Sequence, residues 1–350
     1  MKSPSQRKAV KAPTIKDLAK HVGVHISTVS RSLNPETRNL IGSDMVKKVL
    51  AAADELGYVP NSMASALRKG QSRTIGIVIP DLMNPIFPPF IRGIQDTLEE
   101  AGYTAFIANS DGNKDSEQLI VQKMKARIVD GLIMASAVFK NDPAIRECTK
   151  KDIPVVLINR DIEDENISAV VNDDRHGIFE AVKHLAELGH TRIAHVAGPQ
   201  TTYTGLVRYR AFVEAMQTGD LIFDEYLINF AHGYSVQAGE KAFSQILDQK
   251  MDFSAVIAAN DQLALGVLDS LAKAGKRCPK DLSLVGFNDM PLVDRINPPL
   301  TTLRIQHYEM GAQAARILLE ELDNPKLPTR TMMLKPKLMV RKSTTKNKDH

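Results

Sequence analysis

The sequence predicts a small all-α domain at the N-terminus, followed by a larger α/β region with two doubly wound parallel sheets. Three observations predict this division. Apolar residues of the first fifth recur at helical spacing, short apolar runs alternate with helical stretches from about residue 74 onward, and the charge changes sign near the same boundary. Continuous apolar strands that alternate with helices indicate parallel sheets covered on both faces.

The charge is unevenly distributed along the 350 residues. Residues 1–73 hold 13 Lys and Arg residues against 5 Asp and Glu residues, a balance of +8, whereas the remainder holds 32 against 36, a balance of −4. A basic N-terminal fifth on a mildly acidic body favours a module that binds a polyanion. A solvated basic surface is the alternative, and charge alone does not decide between them.

The segment TIKDLAKHVGVHISTVSRSLN, residues 14–34, predicts two short helices joined by a tight turn. Thr14 can cap the first helix, and Asp17 three residues later completes a capping box. Gly23 suits a turn that requires a positive φ. The second helix begins after His25, which is a weaker cap than Ser, Thr, Asp or Asn.

The second helix carries side chains that suit base recognition. In a helix-turn-helix unit the second helix enters the major groove. Arg31 can donate two hydrogen bonds to guanine, Ser27 can bond to either base type, and Ile26 can contact a thymine methyl group. Thr28 and Ser30 would lie near the backbone. An ordinary helical hairpin is the alternative, and the basic charge favours DNA binding.

A third helix is predicted over residues 43–58, which closes a small three-helix core. Residues 60–70, PNSMASALRKG, then predict a short helix with Met63, Ala64 and Leu67 on one apolar face. This segment is shorter than the roughly 12–15 residues that an isolated helix needs in water. Such a helix is marginal on its own.

From residue 72 onward strands alternate with helices. The predicted strands are 74–80, 103–109, 131–136, 154–159, 168–173, 192–198, 225–230, 255–260 and 282–289. The predicted helices are 88–101, 115–127, 142–150, 175–189, 206–218, 235–249 and 262–274. Nine strands in this pattern indicate two doubly wound subdomains.

Polar residues follow many of the predicted strands, at the edge where such sheets bind ligands. They are Asp81, Asn84, Asn159, Arg160, Asn172, Asp173, Asn260, Asp261, Asn288 and Asp289. Any one of them could be a helix cap or a turn residue, but their recurrence favours a cleft. Phe87 and Tyr234 lie near strand ends, where each could stack on a sugar or a base, or belong to the core.

Other classes of protein are disfavoured. Cys148 and Cys278 lie 130 positions apart without a CxxC pattern, which suits a reducing cytoplasm rather than a disulfide scaffold or zinc site. No signal peptide, membrane span, dinucleotide-binding loop, P-loop or hydrolase motif is present. The spacings of His184, His190 and His195 suit no simple metal site. We expect a cytoplasmic protein that is not an enzyme and needs no metal or cofactor.

With these motifs the chain resembles the LacI/GalR family of bacterial transcription regulators along nearly its whole length. The matching segments are TIKDLAKHVGVHISTVSRSLN, VLAAADELGYVPNSMASALRKGQSRTIGIVIPD, HLAELGHTRIAHVAG, AANDQLALGVLDSLAKAGKRCPKDLSLVGFND and PPLTTLRI. The resemblance implies a helix-turn-helix headpiece, a hinge helix and a periplasmic-binding-protein-like core. It also implies a repressor that binds a palindromic DNA operator as a homodimer. A small molecule, either a sugar or a related metabolite, would control this binding from the cleft between the core subdomains.

The resemblance also implies domain boundaries. It predicts a basic tail (1–13), a helix-turn-helix domain (14–60), a hinge helix and linker (61–72), an effector-binding and dimerisation core (73–340) and a disordered tail (341–350). Within the core, the first subdomain is predicted as 73–170 plus 302–334, and the second as 171–301 plus 335–340. The C-terminal tail has no leucine heptads, so nothing suggests tetramerisation through it.

Contact residues are carried over from the same motifs. The predicted DNA-binding residues are Thr14, Ile26, Ser27, Thr28, Ser30, Arg31, Asn34, Asn61, Ala64, Leu67 and Arg68. The predicted effector-binding residues are Asn84, Phe87, Asn159, Arg208, Tyr234, Asn260 and Asn288. The chain departs from the family pattern at Ser32, which replaces an apolar core residue, at Ala211, where Gly is usual, and at Asn288, where many members have Asp.

Two other classes of function remain as alternatives. A solute-binding receptor without a transcriptional role would use the same core, but the basic N-terminal module counts against it. An enzyme is disfavoured because no nucleophile–base pair or cofactor loop is apparent.

Overall fold

The computed structural model describes residues 13–34, 37–59, 71–126, 129–163 and 166–347. By residue contacts the chain divides into two compact units, Met1–Ser72 and Arg73–His350. The predicted hinge helix and most of the predicted basic tail lie outside the described residues.

Three α-helices form the described part of the first unit: α1 (Ile15–Val22), α2 (Ile26–Leu33) and α3 (Ser43–Leu56). The predicted capping box is confirmed, because the Asp17 amide donates to the Thr14 side chain and the Thr14 amide donates to the Asp17 carboxylate at 2.8 Å. Gly23 ends α1 with a φ of 77°, as its turn requires. Leu18 and Val29 are fully buried between the helices.

The first sheet of the second unit has six strands within the described residues. They are β1 (Thr74–Ile79), β2 (Thr104–Asn109), β3 (Gly131–Met134), β4 (Val155–Ile158), β5 (Ser168–Asn172) and β11 (Thr331–Leu334). Their order is β11–β5–β4–β3–β1–β2, and all pairs are parallel. Two helix pairs cover its faces, α4 (Phe87–Glu100) with α11 (His307–Asp323) and α5 (Lys114–Ala126) with α6 (Pro143–Lys150).

The second sheet also has six strands in the described part of the chain. They are β6 (Ile193–Ala197), β7 (Ile228–Phe230), β8 (Ala255–Ala258), β9 (Ser283–Asn288), β10 (Thr301–Arg304) and β12 (Lys337–Met339). Their order is β12–β10–β9–β8–β6–β7, and only the β10–β12 pair is antiparallel. The associated helices are α7 (Asp174–Glu187), α8 (Tyr203–Thr218), α9 (Val236–Asp248) and α10 (Asp261–Lys273).

The chain passes between the two sheets after β5, after β10 and between β11 and β12. The boundary expected at residue 302 falls inside β10, which pairs with β9 as far as Arg304. The second passage therefore follows Arg304, and the boundary expected at residue 170 likewise falls inside β5, which pairs with β11 as far as Asn172. The predicted strand 225–230 is also shorter than expected, because residues 225–227 form a 3₁₀ turn.

Residues 341–347 pack against the second sheet, which contradicts the expectation of a disordered tail for this part. The side chain of Ser343 is fully buried. Its hydroxyl donates to the Leu284 carbonyl at 2.6 Å and accepts from the Thr301 amide at 2.7 Å. The buried hydroxyl of this segment is therefore satisfied by hydrogen bonds within the fold.

Candidate functional site

Strand order places a ligand site at the carboxyl ends of both sheets. In the first sheet the connections reverse direction between β1 and β3, and in the second between β6 and β8. Ligands of doubly wound sheets bind outside the strands at such a reversal. Of the polar residues that the sequence singled out, Asn84 follows β1 and Asn260 follows β8, and the others follow or end these or neighbouring strands at the same edges.

A cavity of about 390 Å³ lies at these strand ends, between the two subdomains. Residues from the first subdomain form one side, here called the first wall, and residues from the second form the second wall. All seven predicted effector-binding residues line this cavity: Asn84, Phe87 and Asn159 on the first wall, and Arg208, Tyr234, Asn260 and Asn288 on the second. The structure brings them together, and their role in binding stays a prediction.

Arg208 is the most constrained side chain of the second wall. Its Nε and Nη2 donate to Oδ1 of Asp174 at 3.1 and 2.9 Å, and its Nη1 donates to the Ala259 carbonyl at 2.6 Å. The guanidinium also lies 3.7 Å from the ring centroid of Phe287. These bonds use three of the five N–H groups of a guanidinium, so two remain for a ligand.

Asp174 supplies the negative charge that accompanies Arg208 into the protein interior. Arg208 and Asp174 have side-chain exposures of 2% and 1%. Burial raises the pKa of Asp174, and the adjacent guanidinium opposes that rise. The other carboxylate oxygen, Oδ2, has no hydrogen-bond partner among the described residues.

Asn288, at the end of β9, is held in an unusual conformation. Its φ is 111°, a region that non-glycine residues rarely adopt, and its side chain is 3% exposed. Its Oδ1 is buried and has no hydrogen-bond partner within the described ranges. Backbone strain together with an unsatisfied buried acceptor is typical of a functional position.

Asn260 and Tyr234 complete the predicted residues of the second wall. Oδ1 of Asn260 accepts from the Leu263 amide at 2.8 Å, so this residue caps α10 as well as lining the cavity. The Tyr234 hydroxyl bonds to the hydroxyls of Thr204 and Thr202 at 2.8 and 3.1 Å. Its ring is thereby fixed at the side of the cavity.

The first wall combines two turn amides with an aromatic ring. Asn84 accepts from the Ile86 amide at 3.3 Å. Asn159 has a φ of 64° and accepts from Nδ2 of Asn172 at 3.1 Å. Phe87 is 3% exposed, so most of its ring belongs to the core.

The first wall also holds polar residues that are absent from the predicted effector-binding set, among them Arg160, Glu117 and Ser136. Arg160 donates from Nη1 to the Ser136 and Ala137 carbonyls at 2.9 and 3.2 Å. Glu117 is 3% exposed and accepts a hydrogen bond from the Ser136 hydroxyl. Arg160 directly follows Asn159, so the recurrence of polar residues at strand ends already pointed to it, whereas Glu117 lies on a helix and gave no such signal.

The two subdomains also contact each other directly beside the cavity, through a hydrogen bond and a pair of aromatic rings. The Phe139 amide in the first subdomain donates to the Thr201 carbonyl of the second at 3.0 Å. The ring of Tyr203 lies 6.1 Å from the ring of Phe139 and packs against the core of the first subdomain. The subdomains thus touch through side chains as well as through the connecting segments.

The three neighbouring histidines have separate hydrogen-bond partners: Thr344 for His184, Ser254 and Thr345 for His190, and Ile257 for His195. Within the described residues no cluster of three or more His, Cys, Asp or Glu side chains could hold a metal ion. In the same part of the chain, no helix has both the length and the apolar character that a membrane crossing needs.

Seven of the eleven residues predicted to bind DNA lie in the described part of the first unit. Ser27 and Arg31 are exposed on α2, whereas Thr28 and Ser30 are half-buried and Ile26 packs partly against the helical core. Thr14 is exposed, but its hydroxyl donates to Asp17 at 2.7 Å. Asn34 is half-buried at the end of α2, and Asn61, Ala64, Leu67 and Arg68 lie outside the described residues.

Two residues of the helical domain that the sequence singled out, a weak cap and a polar core residue, are accommodated differently. His25 does cap α2, because the Ser27 amide donates to its Nδ1 at 3.3 Å. Ser32 is fully buried, and its hydroxyl has no hydrogen-bond partner among the described residues. An unsatisfied buried hydroxyl lowers the stability of a small core.

Comparisons with known proteins match both parts of the chain. Residues 14–61 match the bacterial regulatory proteins of the lacI family, and residues 182–344 match a periplasmic binding protein-like domain. The ribose operon repressor of Halalkalibacterium halodurans is 32% identical over 331 residues, which cover 95% of this chain and 97% of the relative.

Solved structures give the same result. The lac repressor dimer bound to operator and an anti-inducer is 26% identical with a TM-score of 0.84, covering 96% of this chain and 100% of that chain. A LacI family regulator from Enterococcus faecium with bound ribose is 30% identical with a TM-score of 0.69, covering 79% and 100%.

A helical DNA-binding module joined to a two-subdomain ligand-binding core defines a class of ligand-controlled DNA-binding proteins. The chain belongs to the LacI family of bacterial regulatory proteins. It is therefore a transcription regulator of that family. The alternative of a solute-binding receptor is not favoured, because the family match includes the headpiece.

The buried ion pair predicts a large stability effect. Asp174→Asn leaves the buried guanidinium of Arg208 without a countercharge, so the free energy of unfolding should fall by about 3–5 kcal/mol. Glu214→Gln is the matched control, because Glu214 pairs with Arg175 at the surface, where exposures are 45% and 59%. This control should lose at most about 1 kcal/mol. Urea unfolding of the full chain measures both, and similar losses would contradict the prediction.

Proposed function

We propose that this regulator is a repressor whose operator affinity is controlled by a neutral, polyhydroxylated effector, a sugar or related metabolite, bound in the cavity between the core subdomains. The observation that carries the proposal is the unsatisfied hydrogen-bond capacity of the second wall. Oδ1 of Asn288 is a buried acceptor without a partner among the described residues, and Arg208 retains two N–H donors.

A hydroxyl group both donates and accepts, so adjacent hydroxyls on one ligand can satisfy both kinds of group. A carboxylate or phosphate could accept from Arg208 but could not donate to Asn288. The cavity volume of about 390 Å³ lies within the range of small-molecule sites, roughly 300–1,000 Å³. A relative named as a ribose operon repressor and a related structure with bound ribose support the same chemical class.

The proposal is tested with the full-length protein against D-ribose, D-glucose, cellobiose and uridine. A ligand at ~100 times its Kd stabilises the folded state by about 2.7 kcal/mol, which a thermal-shift assay detects. A ligand found this way should also change the binding of genomic operator fragments in a gel shift. If no ligand of this set raises Tm, or if intact protein binds no fragment selectively, the proposal is wrong.

Asn288→Gly tests the contribution of the Asn288 side chain to effector binding. Glycine tolerates the φ of 111°, so the substitution removes the side-chain amide without adding backbone strain. Effector affinity should fall by about 1–2 kcal/mol, the contribution of a hydrogen bond in a buried site. Isothermal titration calorimetry with the ligand that stabilises the wild type measures this loss. Unchanged affinity would remove Asn288 from the site.

For DNA recognition, we propose that α2 reads the major groove through Ser27 and Arg31. Arg31→Ala should weaken binding to the specific operator by about 1–3 kcal/mol while changing binding to random DNA much less. Lys48→Ala, which removes the same charge from the exposed side of α3, should affect both DNAs alike. Gel shifts at one fixed salt concentration compare them. Equal losses for Arg31→Ala on both DNAs would show a phosphate contact instead.

We further propose that residues 61–69 fold as a hinge helix on the operator, where Leu67 of each protomer enters the minor groove. The sequence supports this because the segment is amphipathic yet too short to be stable alone. Leu67→Ala should weaken operator binding and reduce DNA bending, with little change in the stability of the free dimer. Circular-permutation gel shifts measure the bend, and wild-type bending by the variant would contradict the proposal.

Because a transcription regulator acts on bacterial DNA, we propose that this protein is located in the cytoplasm.

A further inference from the structure

Glu117 is a buried carboxyl group that lines the effector cavity. It lies in the first turn of α5, has a relative exposure of 3%, and faces the cavity from the first wall. Its Oε1 accepts from the Ser136 hydroxyl. No described residue donates to Oε2, and this oxygen is not fully enclosed by protein atoms. One carboxylate oxygen is therefore available to a molecule in the cavity.

The neighbouring charges do not neutralise Glu117 directly. No Lys or Arg nitrogen in the described part of the chain lies within 4 Å of its carboxylate. Arg160, from the loop after β4, and Lys114, on α5 itself, favour the ionised form from a distance, whereas Asp142, which caps α6, disfavours it. Arg160 donates to the carbonyl of Ser136, the same residue whose hydroxyl bonds to Glu117.

A carboxyl group that only supported the fold would be expected to bond through both oxygens or to pair with a cation. Glu117 does neither within the described residues, although its burial is nearly complete. The unused acceptor is therefore open to a donor from outside the chain, either water or a ligand in the cavity. Effector hydroxyls are the donors that the proposed function supplies.

We propose that Glu117 is an effector-binding residue of the first wall, where its ionised carboxylate accepts a hydrogen bond from an effector hydroxyl. The proposal rests on the proposed function of the cavity and adds to it. The second wall offers Arg208 and Asn288, so an effector held also by Glu117 would be bound from both subdomains.

The surroundings of this carboxyl group set the pH range over which it ionises. Burial raises the pKa of Glu117 to about 7, and the Ser136 hydrogen bond opposes the rise. The ionised fraction then increases from about one tenth at pH 6 to about nine tenths at pH 8. A ligand that needs the ionised form should therefore bind up to about tenfold more tightly at pH 8 than at pH 6.

The experiment compares full-length wild type with Glu117→Gln and Asp115→Asn. Glutamine keeps the shape but not the charge, and Asp115 is an exposed carboxylate of the same helical turn. Calorimetric titrations with D-ribose, D-glucose, cellobiose and uridine are run between pH 6 and pH 8. For a ligand that binds the wild type, Glu117→Gln should bind about tenfold or more weakly at pH 8 and lose the pH dependence. Asp115→Asn should behave like the wild type.

Thermal unfolding without ligand shows that the variant folds and reports the ionisation of Glu117. Because the folded-state pKa is raised, the wild type should lose stability relative to Glu117→Gln as pH rises from about 5 to 8.

The outcomes separate the two proposals. If no ligand of the set binds the wild type, the proposed function fails and this inference fails with it. If a ligand binds but affinity is independent of pH, or if Glu117→Gln keeps the wild-type affinity and pH profile, only the role of Glu117 is wrong.

Discussion

Arg208 places a full positive charge where almost no solvent reaches it, and the second wall is organised around neutralising that charge. Its partners come from separate parts of the chain: Asp174 from the start of α7, the carbonyl of Ala259 from the end of β8, and the ring of Phe287 from β9. A buried charge is tolerated only when it is paired and hydrogen-bonded. The pair therefore fixes the strand ends that carry the candidate binding side chains, including Asn288.

The alternation of strands and helices along the sequence is sufficient to predict the fold class and the location of the cavity. Polar residues that follow parallel strands converge at one edge, so the sequence alone assigns Asn159 and Asn260 to a cleft. Glu117 could not be found this way. It lies on a helix, and only the packing of α5 against the first sheet brings its carboxyl group to the cavity.

The end of the described chain has a polar side chain that is buried rather than solvated. Residues 341–347 belong to the tail that was expected to be disordered, yet the Ser343 hydroxyl bonds to two backbone groups inside the second subdomain. The subdomain boundary expected at residue 302 lies slightly before the observed passage, which follows Arg304. Hydrogen bonding to β9 keeps all of β10 in the second sheet, and that pairing joins residues distant in sequence, which local pattern does not reveal.

The division of the cavity between two walls explains why a regulator needs binding residues on both. A ligand shifts an equilibrium between two arrangements only by the difference in its affinity for them. A ligand held by the second wall alone would bind equally well however the subdomains were placed, and would regulate nothing. A ligand that also engages the first wall favours the arrangement in which both walls reach it, and linkage transmits that preference to DNA affinity. With the proposed role of Glu117, the first wall determines the response to the effector, while the second wall supplies the hydrogen-bonded Arg208 side chain that is already in place.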